Sequence, residues 1–196
     1  MMNEATLAVL RALEERDAEE RREGVDRSER LRQVTPEVGR FLHLLVLAAR
    51  PRRILEIGAS GGYSTTWLAA AAQTYGGALT TLENDPKKVA LVRRNLAVAG
   101  LDAVASVVEG DAFDYLRRRD EPFDFCFLDA EKEDYEAYLG LIVPLLSEGG
   151  LLVADNLLSH AAELDSFREA ALADQRLSAV VVPIGRGELV AVRLTP

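Results

Sequence analysis

The chain has 196 residues, enough for one domain with a full core, and a hydrophobic content of 48% excludes a disordered polymer. A formal charge of −9 disfavours nucleic-acid partners, although a local basic patch can sit on an acidic protein. One cysteine, Cys126, excludes an internal disulfide and a cysteine-built zinc site. No apolar run reaches the roughly 18 residues of a membrane span, and the charged N-terminal stretch is unlike a signal peptide, so the expected compartment is the cytoplasm.

In chain order, Leu7, Leu10 and Leu13 at one-turn spacing predict a helix over residues 1–23, stopped by Gly24. Val38, Phe41, Leu42, Leu45, Val46 and Ala49 predict a stronger helix over 36–49, with Thr35 as cap and Pro36 in its first turn. His43, Leu44 and Leu47 form a second face of that helix, to be covered either by a homodimer partner or by the N-terminal helix. From Arg53 onward, strand-like runs at 53–58, 78–84, 105–110, 123–129 and 150–155 alternate with helical stretches near 62–75, 86–99, 112–119, 131–146 and 161–173. Asp85, Pro86 and Gly100 punctuate the second of these helices, and Pro144 should bend or end the fourth. Trp67 and Tyr75 are expected to pack helix against sheet, and Cys126 to be an inert core thiol. The mixed-sign runs "RRE", "DRSERLR" and "YLRRRDE" are expected to be solvated faces. The closing stretch "LSAVVVPIGRGELVAVRLTP" holds two apolar runs around Gly185-Arg186-Gly187, an antiparallel hairpin. The outline is an α/β protein: a mostly parallel sheet of seven strands, closed by a C-terminal antiparallel hairpin, with helices on both faces.

Ligands of such sheets bind beyond the carboxyl ends of the strands. The first end carries Gly58-Ala59-Ser60-Gly61-Gly62, the second Glu83-Asn84-Asp85, and the third Gly110-Asp111-Ala112. The fourth carries Asp129-Ala130-Glu131-Lys132, and the fifth Asp155-Asn156. A dinucleotide fingerprint starting at Gly58 would need glycine at Ser60 and Tyr63, which speaks against a dehydrogenase. The glycines either let a ligand approach the backbone or only make a tight turn; Glu83, able to accept two ribose hydroxyls, favours a nucleoside ligand. Asp129 and Asp155 on neighbouring strands, with the Asn156 carbonyl, suit a hard dication such as Mg²⁺. The plain alternative is that Asp155-Asn156 starts a turn and Asp129 caps a helix. Lys132 is either a general base made more acidic by the dication or a solvated lysine paired with Asp129, Glu133 or Glu136. His160 is expected at the surface, at a helix start.

The motifs "LEIGASGGYST", "LENDPKK", "EGDA", "FLDAEKEDY" and "LLVADN" closely resemble the class I S-adenosylmethionine-dependent O-methyltransferases, and within them the metal-dependent catechol and caffeoyl-CoA branch with its small bacterial members. The likeness runs from about Val34 to the C-terminus. It implies a Rossmann-like methyltransferase fold in one domain over 1–196, with 1–33 as a helical extension and 34–196 as the catalytic core. It also implies a role for each matching position. Gly58 and Ser64 would hold the methionine part of S-adenosylmethionine, Glu83 the ribose, and Asp111 and Ala112 the adenine, while Val34 would touch the cofactor through its backbone. Asp129, Asp155 and Asn156 would bind the divalent metal, expected to be Mg²⁺, with Asp129 also at the cofactor and Lys132 as the base. The implied reaction is O-methylation of a small hydroxylated, catechol-like aromatic. Some bacterial relatives instead methylate a hydroxylated uridine of tRNA, a reading that a basic strip at Arg52-Arg53 or Arg117-Arg118-Arg119 would favour; a non-enzymatic nucleoside-binding protein is the third possibility. Family members are often homodimers. Only "LLSHAAELD" stands where relatives often carry a longer cover for the acceptor pocket, and Glu131 stands where they have Asp or Trp.

Overall fold

A computed structural model describes residues 2–26 and 29–195. Met1 of the first expected helix, Arg27 and Ser28 of one mixed-sign run, and Pro196 of the hairpin lie outside them. Helix α1 (Glu4–Arg22) starts where the Asn3 side chain accepts the Thr6 amide at 2.7 Å. Helix α2 (Pro36–Ala49) starts at Thr35, which accepts the Val38 amide. Then β1 (Arg53–Ile57), α3 (Tyr63–Gln73), β2 (Ala78–Glu83), α4 (Pro86–Ala99), β3 (Ala105–Glu109), α5 (Ala112–Arg117) and β4 (Phe123–Leu128) alternate as expected. A 3-10 turn (Lys132–Asp134) leads into α6 (Tyr135–Leu145), followed by β5 (Leu146–Ala154), α7 (Asp165–Ala173), β6 (Leu177–Val182) and β7 (Glu188–Arg193). No helix among the described residues is long and apolar enough to cross a membrane.

The seven strands form one sheet in the order β3-β2-β1-β4-β5-β7-β6. Strands β1 to β5 run parallel, and β7 lies antiparallel between β5 and β6. Alternation along β4 feeds both faces. Phe125 and Phe127 join α1, α2, α3 and α4 in one core; Cys126 and Leu128 join α5, α6 and α7 in the other. Burying each such side chain contributes about 1.5–3 kcal/mol. Because chain order reverses between β1 and β4, the loops after these strands diverge and leave a crevice at the carboxyl edge.

Several expected boundaries change. Strand β5 starts at Leu146 rather than 150, because the β4–β5 register slips between Phe123 and Phe125 and Gly149, at φ 74°, absorbs the bulge. Helix α7 starts at Asp165; residues before it form turns. Trp67, in the same buried cluster as Phe125 and Phe127 of β4, also packs α3 against α2: a Cβ on Gly39 would lie 2.3 Å from its Nε1, and its ring meets those of His43 and Tyr63 edge-on. The N-terminal helix does not cover the second face of α2, where Leu44 and Leu47 are 63% and 37% exposed. Pro144 sits one residue before the end of α6, which it terminates without a visible break.

Candidate active site

The crevice opens into a cavity of about 970 Å³. Val34, Gly58, Ser64, Glu83, Asp111, Ala112, Asp129, Lys132 and Asn156 all line it; of the expected site residues only Asp155 stands behind the wall.

Its first half is the glycine loop. Gly58 has φ 95°, and a Cβ there would sit 2.1 Å from the Asp129 carbonyl, so only glycine lets the loops after β1 and β4 touch. Ser60, also left-handed, donates its amide to Glu83 Oε2 at 2.7 Å and its hydroxyl to the Leu31 carbonyl. Glu83 Oε1 accepts the Asn84 and Asp85 amides at 3.0 Å each. Three backbone donors therefore fix this carboxylate at the cavity wall while leaving it lone-pair capacity for a hydroxyl. Beneath the loop, Glu56 is fully buried; its Oε2 accepts the Thr65 and Thr81 hydroxyls at 2.5 and 2.6 Å, and its Oε1 has no partner. Burial, only partly offset by hydroxyl donors, lifts its pKa to about 7. A strap between α1 and α2 roofs this half: Leu31 donates its amide to Glu20 at 2.9 Å, which carries buried Val34 to the cavity. Asp111 both lines the cavity and caps α5, accepting the Asp114 amide.

The second half lies between β4 and β5. Their parallel register, Leu128 beside Ala154, sets Asp129 next to Asp155, and the Asp155 amide donates to the Leu128 carbonyl at 3.1 Å. Lys132 donates to Asp129 Oδ1, the Ala130 carbonyl and the Tyr135 hydroxyl, each at 2.9 Å. It is thus a paired ammonium held at three points rather than a solvated side chain. The Tyr135 hydroxyl in turn lies 3.2 Å from the Leu128 and Asp155 carbonyls; burial and the Asp129 and Asp155 charges push its pKa well up, so it stays protonated. Asn156, at φ 80°, donates its amide to Asp155 Oδ1 at 2.6 Å, and its buried Nδ2 has no acceptor. His160, partly exposed as expected, borders the cavity from the turns before α7 rather than from a helix start, with its amide on the Asn156 carbonyl. Arg32 on the strap forms a bidentate ion pair with Glu131 across the cavity mouth.

Glu188, the first residue of β7, is fully buried, and neither of its oxygens meets a donor. Burial first, then the Asp155 charge, drives its pKa far up; Asp155 is raised as well, by burial and then by Asp129. Like charge and burial disfavour these neighbouring acids as bare carboxylates, and Asp129, Asp155 and the Asn156 side-chain amide together offer hard oxygen donors, so their chemistry fits a divalent cation. Among the described residues no three His, Cys, Asp or Glu side chains already converge as a metal cage; the expected set supplies two such groups and an amide.

Sequence reasoning missed Tyr135, Arg32, Ser60 and Glu188. Tyr135 had a signal, three residues after Lys132 on the same turn. The others take their places from contacts between distant segments.

A family model described as O-methyltransferase matches residues 12–194, and the chain belongs to that family. It is 40% identical over 136 residues to a catechol O-methyltransferase of Niastella koreensis, covering 67% of this chain and 61% of that one. A catechol O-methyltransferase of Mycobacterium tuberculosis is 42% identical over 126 residues, 64% of this chain and 57% of that one. The matched part spans about six tenths of the length of these two relatives. Among solved structures, an O-methyltransferase from Bacillus cereus in complex with SAH superposes with a TM-score of 0.81 at 31% identity, over 95% of this chain and 90% of that one.

Proposed function

We propose that the protein is an S-adenosylmethionine-dependent O-methyltransferase acting on a small catechol-like aromatic, with a divalent cation, Mg²⁺ by preference, at the acceptor hydroxyls. The observation that carries this reading is one cavity lined by both a backbone-fixed acid, Glu83, and the strand-end Asp129, with Asp155 on the adjacent strand end just behind its wall. The similarity to a structure holding SAH, the demethylated donor, and to two catechol O-methyltransferases supports it.

S-adenosylmethionine supplies an electrophilic methyl group on a sulfonium. In this reading Glu83 grips its ribose, Gly58 and Ser64 face its methionine part, Val34 contacts it through the backbone, and Asp111 and Ala112 border the adenine. These contacts hold the donor immobile, which lowers the entropic part of the barrier. Asp129, Asp155 and Asn156 would hold the cation, which lowers the cost of an acceptor phenolate, about 4 kcal/mol for a tyrosine-like phenol at neutral pH. Lys132 borders the place where the phenol proton leaves. As a free amine, its own proton having left to the solvent of the open cavity, it can accept that proton, and Tyr135 holds its nitrogen in place. The acceptor oxygen then bonds to the methyl carbon as the carbon–sulfur bond breaks.

The tRNA reading gains nothing from the basic runs. Arg117 and Arg118 pair with Asp114, Arg119 pairs with Glu121, and Arg53 opens β1 at the edge opposite the cavity. A homodimer seam over the exposed Leu44 and Leu47 belongs to the same reading, and sedimentation equilibrium in solution measures it. A transfer assay with labelled donor separates the activities: methylated catechols, lost with chelator and restored by Mg²⁺, are expected. Label in undermodified tRNA would replace this reading with the alternative, and no label in either would favour the non-enzymatic one.

A further inference from the structure

The C-terminal hairpin brings one more acid to the candidate cation site. Strands β5 and β7 pair with Ala154 opposite Leu189, so one step on Asp155 and Glu188 stand side by side. The turn before Glu188 is pinned in place. The Leu157 amide donates to the Gly187 carbonyl and the Leu158 amide to the Arg186 carbonyl, both at 2.9 Å. A Cβ on Gly187 would lie 2.4 Å from Leu158 Cγ. Glu188 is therefore fixed to the segment that carries Asp155 and Asn156.

Its nearest partner is another acid. No N–H of the described residues meets either of its buried oxygens, the Asp155 carboxyl lies close enough to share a proton with it, Asp129 adds a second like charge, and Lys132 is a cation that faces it. Lys132 has already committed its three hydrogens to Asp129, Ala130 and Tyr135. A fully buried acid set beside another acid is among the least favourable arrangements in a core, and Val153 and Val190, which share its sheet face by strand alternation, show that apolar residues fit next to this position. Folding alone gives no reason for an acid here.

We propose that Glu188 is a positioning residue of the divalent-cation site, standing behind Asp155, adding negative charge and holding that carboxylate toward the ion. It acts through Asp155, since no third acid takes part in a direct cage among the described residues. This inference rests on the metal-assisted reading above. It predicts opposite signs for two properties: removing the acid weakens cation binding yet relieves a core in which two buried acids are crowded together when metal-free.

The test is Mn²⁺ binding to the full chain, followed by electron paramagnetic resonance, for the natural sequence, E188Q, E188L and D155N, alongside SAH affinity and metal-free thermal unfolding. Expected are Mn²⁺ affinities about 10- to 100-fold weaker in both Glu188 variants, unchanged SAH affinity, and metal-free melting temperatures at or above that of the natural chain. If D155N loses Mn²⁺ while E188Q and E188L bind it unchanged, the inference is overturned and the metal reading stands. If both Glu188 variants melt lower without metal, Glu188 is a structural acid and the inference is likewise overturned. If the natural chain binds no Mn²⁺, the metal reading itself fails and this inference with it.

Discussion

Glu56 and Tyr135 show how single buried groups set the chemistry of this cavity. Glu56 keeps its proton to higher pH in the folded chain than in the unfolded one, because burial lifts its pKa from 4.5 to about 7. Its contribution is therefore full below about pH 4.5 and is lost as pH rises to about 7, a loss of about 3 kcal/mol. Denaturant titrations of the natural chain and E56Q across that window should show the natural chain weakening by an amount the variant lacks; parallel pH profiles would contradict it. Tyr135 offers its hydroxyl to the Lys132 ammonium at 2.9 Å. In Y135F the lysine keeps its two other contacts but loses its third anchor, so kcat should fall roughly 10- to 100-fold with the KM for donor unchanged. An unaltered kcat would remove Tyr135 from the account.

At the scale of elements, the site depends on helices and loops held together by missing side chains. Gly39 lets α2 approach the Trp67 ring on α3, and α2 in turn sets the end of the strap that carries Val34. The G39A variant forces those helices apart, with an expected loss of about 1–3 kcal/mol and a weaker affinity for SAH. Thermal unfolding and calorimetric binding check both, and a variant as stable as the natural chain would mean the contact is loose. The strap itself is held by the Leu31 amide on Glu20, the Leu31 carbonyl on Ser60, and the Arg32–Glu131 pair. That last pair is half-exposed and contributes no more than about 1 kcal/mol, so the roof over the cavity leans more on the buried Leu31–Glu20 contact and the part-buried Ser60–Leu31 one.

Across the whole molecule, the parts legible in the sequence are those encoded locally. The apolar alternation of "FDFCFLD" gave β4 and its two faces, and "NDPKK" with Gly100 bounded α4 because proline and glycine act on their own backbone. The strand-end acids were legible because a parallel sheet presents every strand end at one edge. Contacts across long separations were not. Glu188 in "RGELVAV" looks like the polar start of a hairpin strand, and only its pairing with a strand more than thirty positions earlier buries it against Asp155. Arg32 meets Glu131 from 99 residues away, and Trp67 faces a helix because Gly39 makes room, which no spacing rule announces. Lys132 read equally well as base or ion-paired surface group; the structure pairs it with Asp129 and also anchors it to Tyr135, a contact between neighbouring turns that spacing alone did not reveal. The measurement that tests the central claim most directly is methyl transfer to catechol by the natural chain and Asp155→Ala, each stripped with chelator and titrated with Mg²⁺. The account predicts turnover that rises with Mg²⁺ in the natural chain and is lost in the variant at every concentration; equal turnover of the two, or turnover indifferent to Mg²⁺, would contradict it.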